Sequence, residues 1–286
     1  MPLFPAEALI QLQNGPDHLR LVLAVFALAL FSGLLRLFCG LGNGREEILA
    51  IGRATMQLGI VGIVVAAVLG SWPLTALFIV VMVSVGAFTA GRRLRISSWW
   101  PALLPVACGG LPTTGFLLAV GLLPVQTISV IPTAGILIGN AMTAVTLSGQ
   151  RTLDALEERR GQVEAALALG FLPRDAALLV ALRSARLALV PALDQTRTVG
   201  LVTLPGAFVG TLLGGASPQQ AAALQLVVLA GILASQSIAV SLTVELVARG
   251  VMSRSEDDHR SAGRTSRSFL RFAGTPSSGE RGAVPR

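Results

Sequence analysis

Few side chains in this 286-residue chain could do chemistry, and several kinds of chemistry are excluded outright. All 22 basic residues are arginine. Without lysine there is no Schiff-base nitrogen and no phosphate-binding loop of the kind that sets Lys before Ser or Thr, so the chain cannot be its own P-loop ATPase. Cys39 and Cys108 sit in apolar stretches, and two cysteines give neither a disulfide framework nor a zinc spacing. His18 and His259 fall outside every apolar run, which rules out a histidine metal site within a membrane. No Gly-x-Ser-x-Gly elbow is present for hydrolysis.

What remains is the ligand chemistry of neutral atoms. Pro132 and Pro205 interrupt apolar runs in the company of Gly135, Gly139, Gly206 and Gly210. A proline frees a backbone carbonyl from the helical ladder. Carbonyls released inside a protein-lined cavity can ligate a cation without any charged side chain, and Thr133, Asn140, Met142, Thr143 and Thr203 add oxygen and sulfur. The same glycines, spaced four apart, equally suit close helix-on-helix packing, and the two roles are compatible. Met56, Met82 and Cys108 read as core filler rather than metal ligands.

Composition says what elements hold these residues. Hydrophobic residues make up 53% and charged residues 13%, and mean hydropathy is +0.72, more apolar surface than a soluble fold can hide. About 20 apolar residues in a helix cross a hydrocarbon layer of about 30 Å. Runs of that kind cover residues 19–39, 48–70, 73–91, 101–123, 126–147, 198–214 and 221–247, the sixth being short. The expectation is an all-α polytopic membrane protein with about seven transmembrane helices, five in 19–147 and two in 198–248. Residues 1–18 precede them and 249–286 follow, and with Pro2, Pro5, Glu7 and Asp17 near the start a cleavable signal peptide is not expected.

Arginine placement orients the spans. One set of connections holds Arg45, then Arg92, Arg93 and Arg95, then 148–197 with seven arginines; the opposite connections hold none apart from Arg20 at the start of the first span. Basic residues in short loops stay in the cytoplasm, which places the N-terminus outside and the C-terminus inside a cytoplasmic membrane. The formal charge of +7 is scattered between apolar runs without an aromatic basic face, so nucleic acid is not the expected partner. Residues 252–286, with seven arginines among Ser, Gly and Pro, read as a disordered basic tail near anionic lipid. Arg36, Arg53 and Glu245 are charges within the spans, near the cytoplasmic ends, as anchors or as partners, and an Arg53–Glu245 contact is expected.

Residues 148–197 carry thirteen of the 37 formal charges. Leu153, Leu156, Val163 and Leu167 recur at helical spacing, Gly170 suits a stop, and Pro173 with Asp175 suits a new helix start. The reading is helix, tight turn, helix. Ala176–Leu193 is apolar but holds Arg183 and Arg186 at its middle, each costing about 2.5–3.5 kcal/mol at a span centre. An amphipathic helix on the inner surface, with Leu178, Leu182, Ala185 and Leu189 as its apolar stripe, fits better than a span.

Glu164-Ala165-Ala166, three residues and Gly170 resemble the EAA loop of ATP-binding-cassette permeases, in which that loop docks in a cytosolic ATPase. Val180 and Leu182 fit its continuation, while Arg183 stands where that pattern has Pro. More of the chain resembles the FetB-type permeases of iron-export ABC transporters, a family with plant relatives linked to aluminium tolerance. Ile131-Pro132-Thr133-Ala134-Gly135 leading to Gly139-Asn140-Ala141-Met142 is similar to one signature. Leu169-Gly170 with Pro173 is similar to another, with Phe171 replacing Ala. Thr198-Val199-Gly200-Leu201-Val202 with Leu204-Pro205-Gly206 matches a third, and Gly52-Arg53-Ala54 with Gln57 a fourth. The resemblance implies a homodimeric permease without its own cofactor, driven by a separate ABC ATPase that carries ATP and Mg, with Glu164, Ala165, Ala166, Gly170 and Pro173 as the coupling segment. A secondary transporter and a non-transporting scaffold are the alternatives, and the absence of an Asp, Glu or His at mid-span speaks against the first.

Overall fold

The computed structural model describes residues 15–40 and 45–254; the N-terminal segment before Gly15 and the basic tail after Arg254 lie outside the described residues. The described residues are helical, apart from turns and two isolated bridges. The helices are α1 (Gly15–Phe38), α2 (Arg45–Val68), α3 (Trp72–Leu94), α4 (Leu103–Ala119), α5 (Thr127–Glu158), α6 (Arg160–Ala168), α7 (Pro173–Arg186), α8 (Val190–Thr198), α9 (Gly206–Leu213) and α10 (Pro218–Ala248). Among the described residues, seven helical stretches are long and apolar enough to cross a membrane. Six of them match expected spans: α1, α2, α3, α4 with its short 3-10 entry at Trp100–Ala102, α5 and α10.

The sixth span is corrected. Residues 198–214 do not form one helix: Gly200 turns the chain at φ +80°, its N–H donates to the Thr203 carbonyl at 2.9 Å, and Pro205 stands just outside the next helix. Only α9 is helical there, eight residues long or about 12 Å, well short of the hydrocarbon layer. In its place the nearly continuous helical run Pro173–Thr198 reaches the required length and hydropathy. Its buried stripe also differs from the expected leucines. Ala177, Val180, Ala181, Ala185, Ala188 and Ala192 face inward, Leu182 is exposed, and Leu178 and Leu189 are half-buried. Alanine lets backbones approach more closely than leucine does, so the small residues took the packed face. Arg183 and Arg186 remain exposed.

The chain forms two compact units. The first comprises Met1–Val80, Leu117–Thr133 and Gln195–Ala230, the second Val81–Phe116, Ala134–Asp194 and Gly231–Arg286. In the second, α4, α5 and α10 meet at glycine. A methyl group built on Gly109 would stand 2.9 Å from Ala141 Cβ and 2.9 Å from the Ser235 carbonyl oxygen, and one on Gly110 would stand 2.6 Å from Ile138 Cγ1. Leu137, Val106 and Val145 of these helices are fully buried, and Leu94 of α3 packs further along α5 at Gly149. In the first unit α1 packs on α2, and the Arg36 guanidinium reaches Glu47 at 3.4 Å. Hydroxyls in the apolar helices bond back to their own turn, as Thr113 does to the Gly109 carbonyl at 2.9 Å and Thr243 to Ala239 at 2.7 Å, which satisfies them where water is absent.

Candidate functional site

The segment expected to meet a partner is built as helix, turn, helix. Helix α6 breaks from α5 at Arg159, which leaves helical backbone at φ −111° and ψ 32°. At its far end Gly170 adopts φ +90°, its N–H donates to the Leu167 carbonyl at 2.9 Å, and the Phe171 N–H donates to Ala166 at 3.1 Å. These paired bonds close the last carbonyls of α6 around a left-handed residue, the conformation glycine adopts most readily. Pro173 then opens α7 at a position where a missing N–H costs nothing. Of the coupling residues, Ala166 is buried and holds α6 down, while Glu164, Ala165, Gly170 and Pro173 are exposed. Glu164 is paired on its own helix with Arg160 at 2.9 Å, both well exposed. Leu169, Phe171 and Leu172 stand out from the turn, exposed and apolar.

Immediately after this turn lies an ion-pair network absent from the sequence reading. The Arg174 guanidinium makes a two-point contact with Glu245 of α10, at 2.7 and 2.8 Å, and also reaches Asp175 at 2.9 Å. Arg249 approaches the same Glu245 carboxylate at 2.6 Å. Glu245 is taken by Arg174, whose planar fork matches a carboxylate. The four-residue spacing of Glu245 and Arg249 was the readable signal; the 71-residue separation to Arg174 carried none. Beyond α10, Arg254 binds Asp154 and, at 2.6 Å, Glu157, both on the last turns of α5. Burial disfavours its charge, yet these carboxylates outweigh that and hold its pKa above the ordinary arginine value. The Ser97 N–H donates to the Ser253 carbonyl at 3.2 Å beside it.

The expected path residues fall in two places, each within one unit. In the second unit, the Asn140 side chain donates to the Ile136 carbonyl at 2.8 Å and accepts from buried Gln236 of α10 at 3.0 Å, while buried Ser235 donates to the Leu137 carbonyl at 3.1 Å. Met142 is half-buried, its carbonyl accepting from Thr146 at 2.9 Å. In the first unit, Pro132 is exposed within α5 and cannot donate to the Ile128 carbonyl; Thr133 is buried and bonds back to Ser129 at 2.8 Å. Thr203 is exposed and closes the turn before α9 through its carbonyl, and half-buried Pro205 caps that helix. The glycines divide likewise. A methyl group built on Gly135 would stand 3.0 Å from the Met82 methyl, whereas one on Gly139, Gly206 or Gly210 would meet open space, so among the described residues close packing accounts for Gly135 alone of these four.

Known proteins place this arrangement in context. The chain is 35% identical over 212 residues to the rice "UPF0014 membrane protein STAR2", covering 72% of this chain and 74% of that one. It is 37% identical over 190 residues to Arabidopsis thaliana "Protein ALUMINUM SENSITIVE 3", 64% and 69% of the two chains, and 29% identical over 209 residues to the Escherichia coli "Probable iron export permease protein FetB", 72% and 81%. No solved structure matches. Seven apolar helices and relatives named as membrane proteins make this an integral membrane protein. A family profile covers residues 19–252, nearly the whole described chain, and by that match the protein belongs to the uncharacterised protein family UPF0014.

Proposed function

We propose that this chain is the membrane subunit of an ATP-binding-cassette transporter that exports iron or another metal ion, working as a homodimer with two copies of a cytosolic ATPase that binds ATP and Mg. It is not itself an enzyme in this reading. The observation that carries the proposal is the exposed peg: α6 broken from α5 at Arg159, closed by Gly170, and presenting Glu164, Leu169, Phe171 and Leu172, all exposed among the described residues. A short helix offering both charge and apolar surface suits a groove on another protein. The relative named as an iron export permease supports both the activity and the cargo class.

The mechanical route lies within the second unit. When the ATPase pair closes on ATP, it pulls α6; the Gly170 turn passes the pull to the first turn of α7, and Arg174 passes it to Glu245 on α10. Helix α10 carries Gln236 and Ser235, which hold Asn140 and the Leu137 carbonyl of α5, so the path residue Asn140 shifts with it. The peg and the C-terminus face the cytoplasm of the inner membrane and the N-terminus faces out. Residues 199–217 contain no arginine and suit the outer side when the chain crosses through Pro173–Thr198.

The test is Glu164→Arg in vesicles containing the permease and its ATPase. ATP hydrolysis continues while iron flux falls at least tenfold, and membrane insertion is unchanged. Undiminished flux in this variant would remove Glu164 from the coupling segment.

A further inference from the structure

Helix α2 presents two polar side chains, Arg53 and Gln57, that nothing among the described residues meets with a hydrogen bond or ion pair. None of its membrane-length apolar window is buried, and Arg53 and Gln57 are both exposed. Gln57 lies nine residues inside the run 48–70, about 14 Å deep at 1.5 Å per residue, close to the middle of a layer about 30 Å thick. Among the described residues no hydrogen bond reaches its amide. Arg53 lies only about 8 Å deep and can snorkel to the surface; a glutamine at mid-layer is too short to do so. Its donors and acceptor are unsatisfied in hydrocarbon, which is costly.

Helical geometry separates this face from the others. The half-buried positions Glu47, Ile51 and Val65 mark the side where Glu47 takes Arg36 of α1; buried Val68 lies on the Gln57 side but eleven residues further on, in the last turn of the helix. Gly52, Gly59 and Gly62 lie on the far side from Gln57, with open space around them and nothing polar to satisfy. Glu46, Arg53 and Gln57 share the remaining face, being seven and four residues apart.

We infer that the Glu46–Arg53–Gln57 face of α2 is the seam on which a second copy of this chain packs. It rests on the paired membrane subunit proposed above and assigns the surface. A primary amide both donates and accepts, so across a twofold axis Gln57 satisfies its own copy with two hydrogen bonds. Arg53 and Glu46 carry opposite charges two turns apart, so one copy's arginine, bent toward the membrane surface, meets the other's Glu46, which is 74% exposed and held only at 3.9 Å by Arg36. A cytosolic partner cannot reach 14 Å into the layer, and lipid tails offer no hydrogen bonds.

The experiment is oxidative cross-linking of the full chain in membrane vesicles with copper phenanthroline, after Cys39→Ser and Cys108→Ala. Gln57→Cys forms a disulfide-linked dimer, and Gly59→Cys, on the opposite face, forms at least tenfold less. In fluorescence energy transfer between labelled copies, Gln57→Leu lowers dimer formation at least fivefold and Gln57→Asn retains it, each with an unchanged melting temperature. Cross-linking through Gly59→Cys instead of Gln57→Cys overturns the seam and leaves the paired subunit standing. A monomeric chain, with neither cysteine cross-linking, overturns both. A Gln57→Cys dimer in vesicles whose ATPase drives no flux keeps the seam and removes the transport reading.

Discussion

Gly110 approaches Ile138 so closely that a methyl group has no place to go, with Cγ1 at 2.6 Å and the Ile138 Cα at 3.1 Å. Gly115, one and a half turns further along α4, has nothing within 4 Å. The same substitution therefore has opposite effects at the two sites. Gly110→Ala forces the backbone of α5 away and lowers stability by about 1–3 kcal/mol, whereas Gly115→Ala is neutral or gains up to about 1 kcal/mol of helix propensity. Thermal unfolding of the purified protein in detergent distinguishes them, and equal melting temperatures would show that α4 and α5 do not meet there. Sequence drew attention to Gly135 and Gly139 because proline and asparagine stand beside them. The tightest crossing lay instead at Gly109 and Gly110, whose threonine neighbours Thr113 and Thr114 bond back to their own helix and point to no partner. Asn140 was legible as a polar side chain in an apolar run; its partner Gln236, 96 residues away, was not.

At the scale of elements, apolar run length located six of the seven membrane-length helices, because burying about 20 residues in hydrocarbon is a local property. It failed at residues 198–214, where hydropathy is high but Gly200 and Pro205 break the helix, and at Pro173–Thr198, where Arg183 and Arg186 masked an otherwise apolar helix. The helix–turn–helix around Gly170 was readable, since a left-handed glycine followed by proline at a helix start is local stereochemistry. What ties that turn to α10 is the Arg174–Glu245 contact. Arg174→Glu and Glu245→Arg each lower the melting temperature and reduce flux per ATP hydrolysed; the double reversal recovers part of both losses, because the pair is re-formed with its charges exchanged. Independent, additive losses in the double variant would mean that the two residues act apart. The neighbouring Arg249 favours the original Glu245, so recovery in the reversed pair is partial rather than complete.

For the whole molecule, the energy source is the open quantity that measurement can decide. Among the described residues, no Asp, Glu or His stands near the middle of a membrane-length helix. An ion-coupled carrier keeps an acid or histidine relay there. Vesicles holding this chain alone, under a proton or sodium gradient, accordingly accumulate no iron, and flux begins when the ATPase and ATP are added. Accumulation driven by the gradient alone would reverse the assignment. Composition, apolar run length and arginine placement are sums over neighbouring residues, and from them follow a membrane protein, its helix count and the position of its peg. Which carboxylate Arg174 seizes, which glycines lie at the helix crossing, and which face of α2 is left polar and bare depend on residues brought together from distant parts of this chain, as Arg174 with Glu245 and Arg254 with Asp154 illustrate. Such pairings leave no periodic trace in a single sequence, because each is chosen by the packing of whole helices, and so the tertiary structure alone decided them.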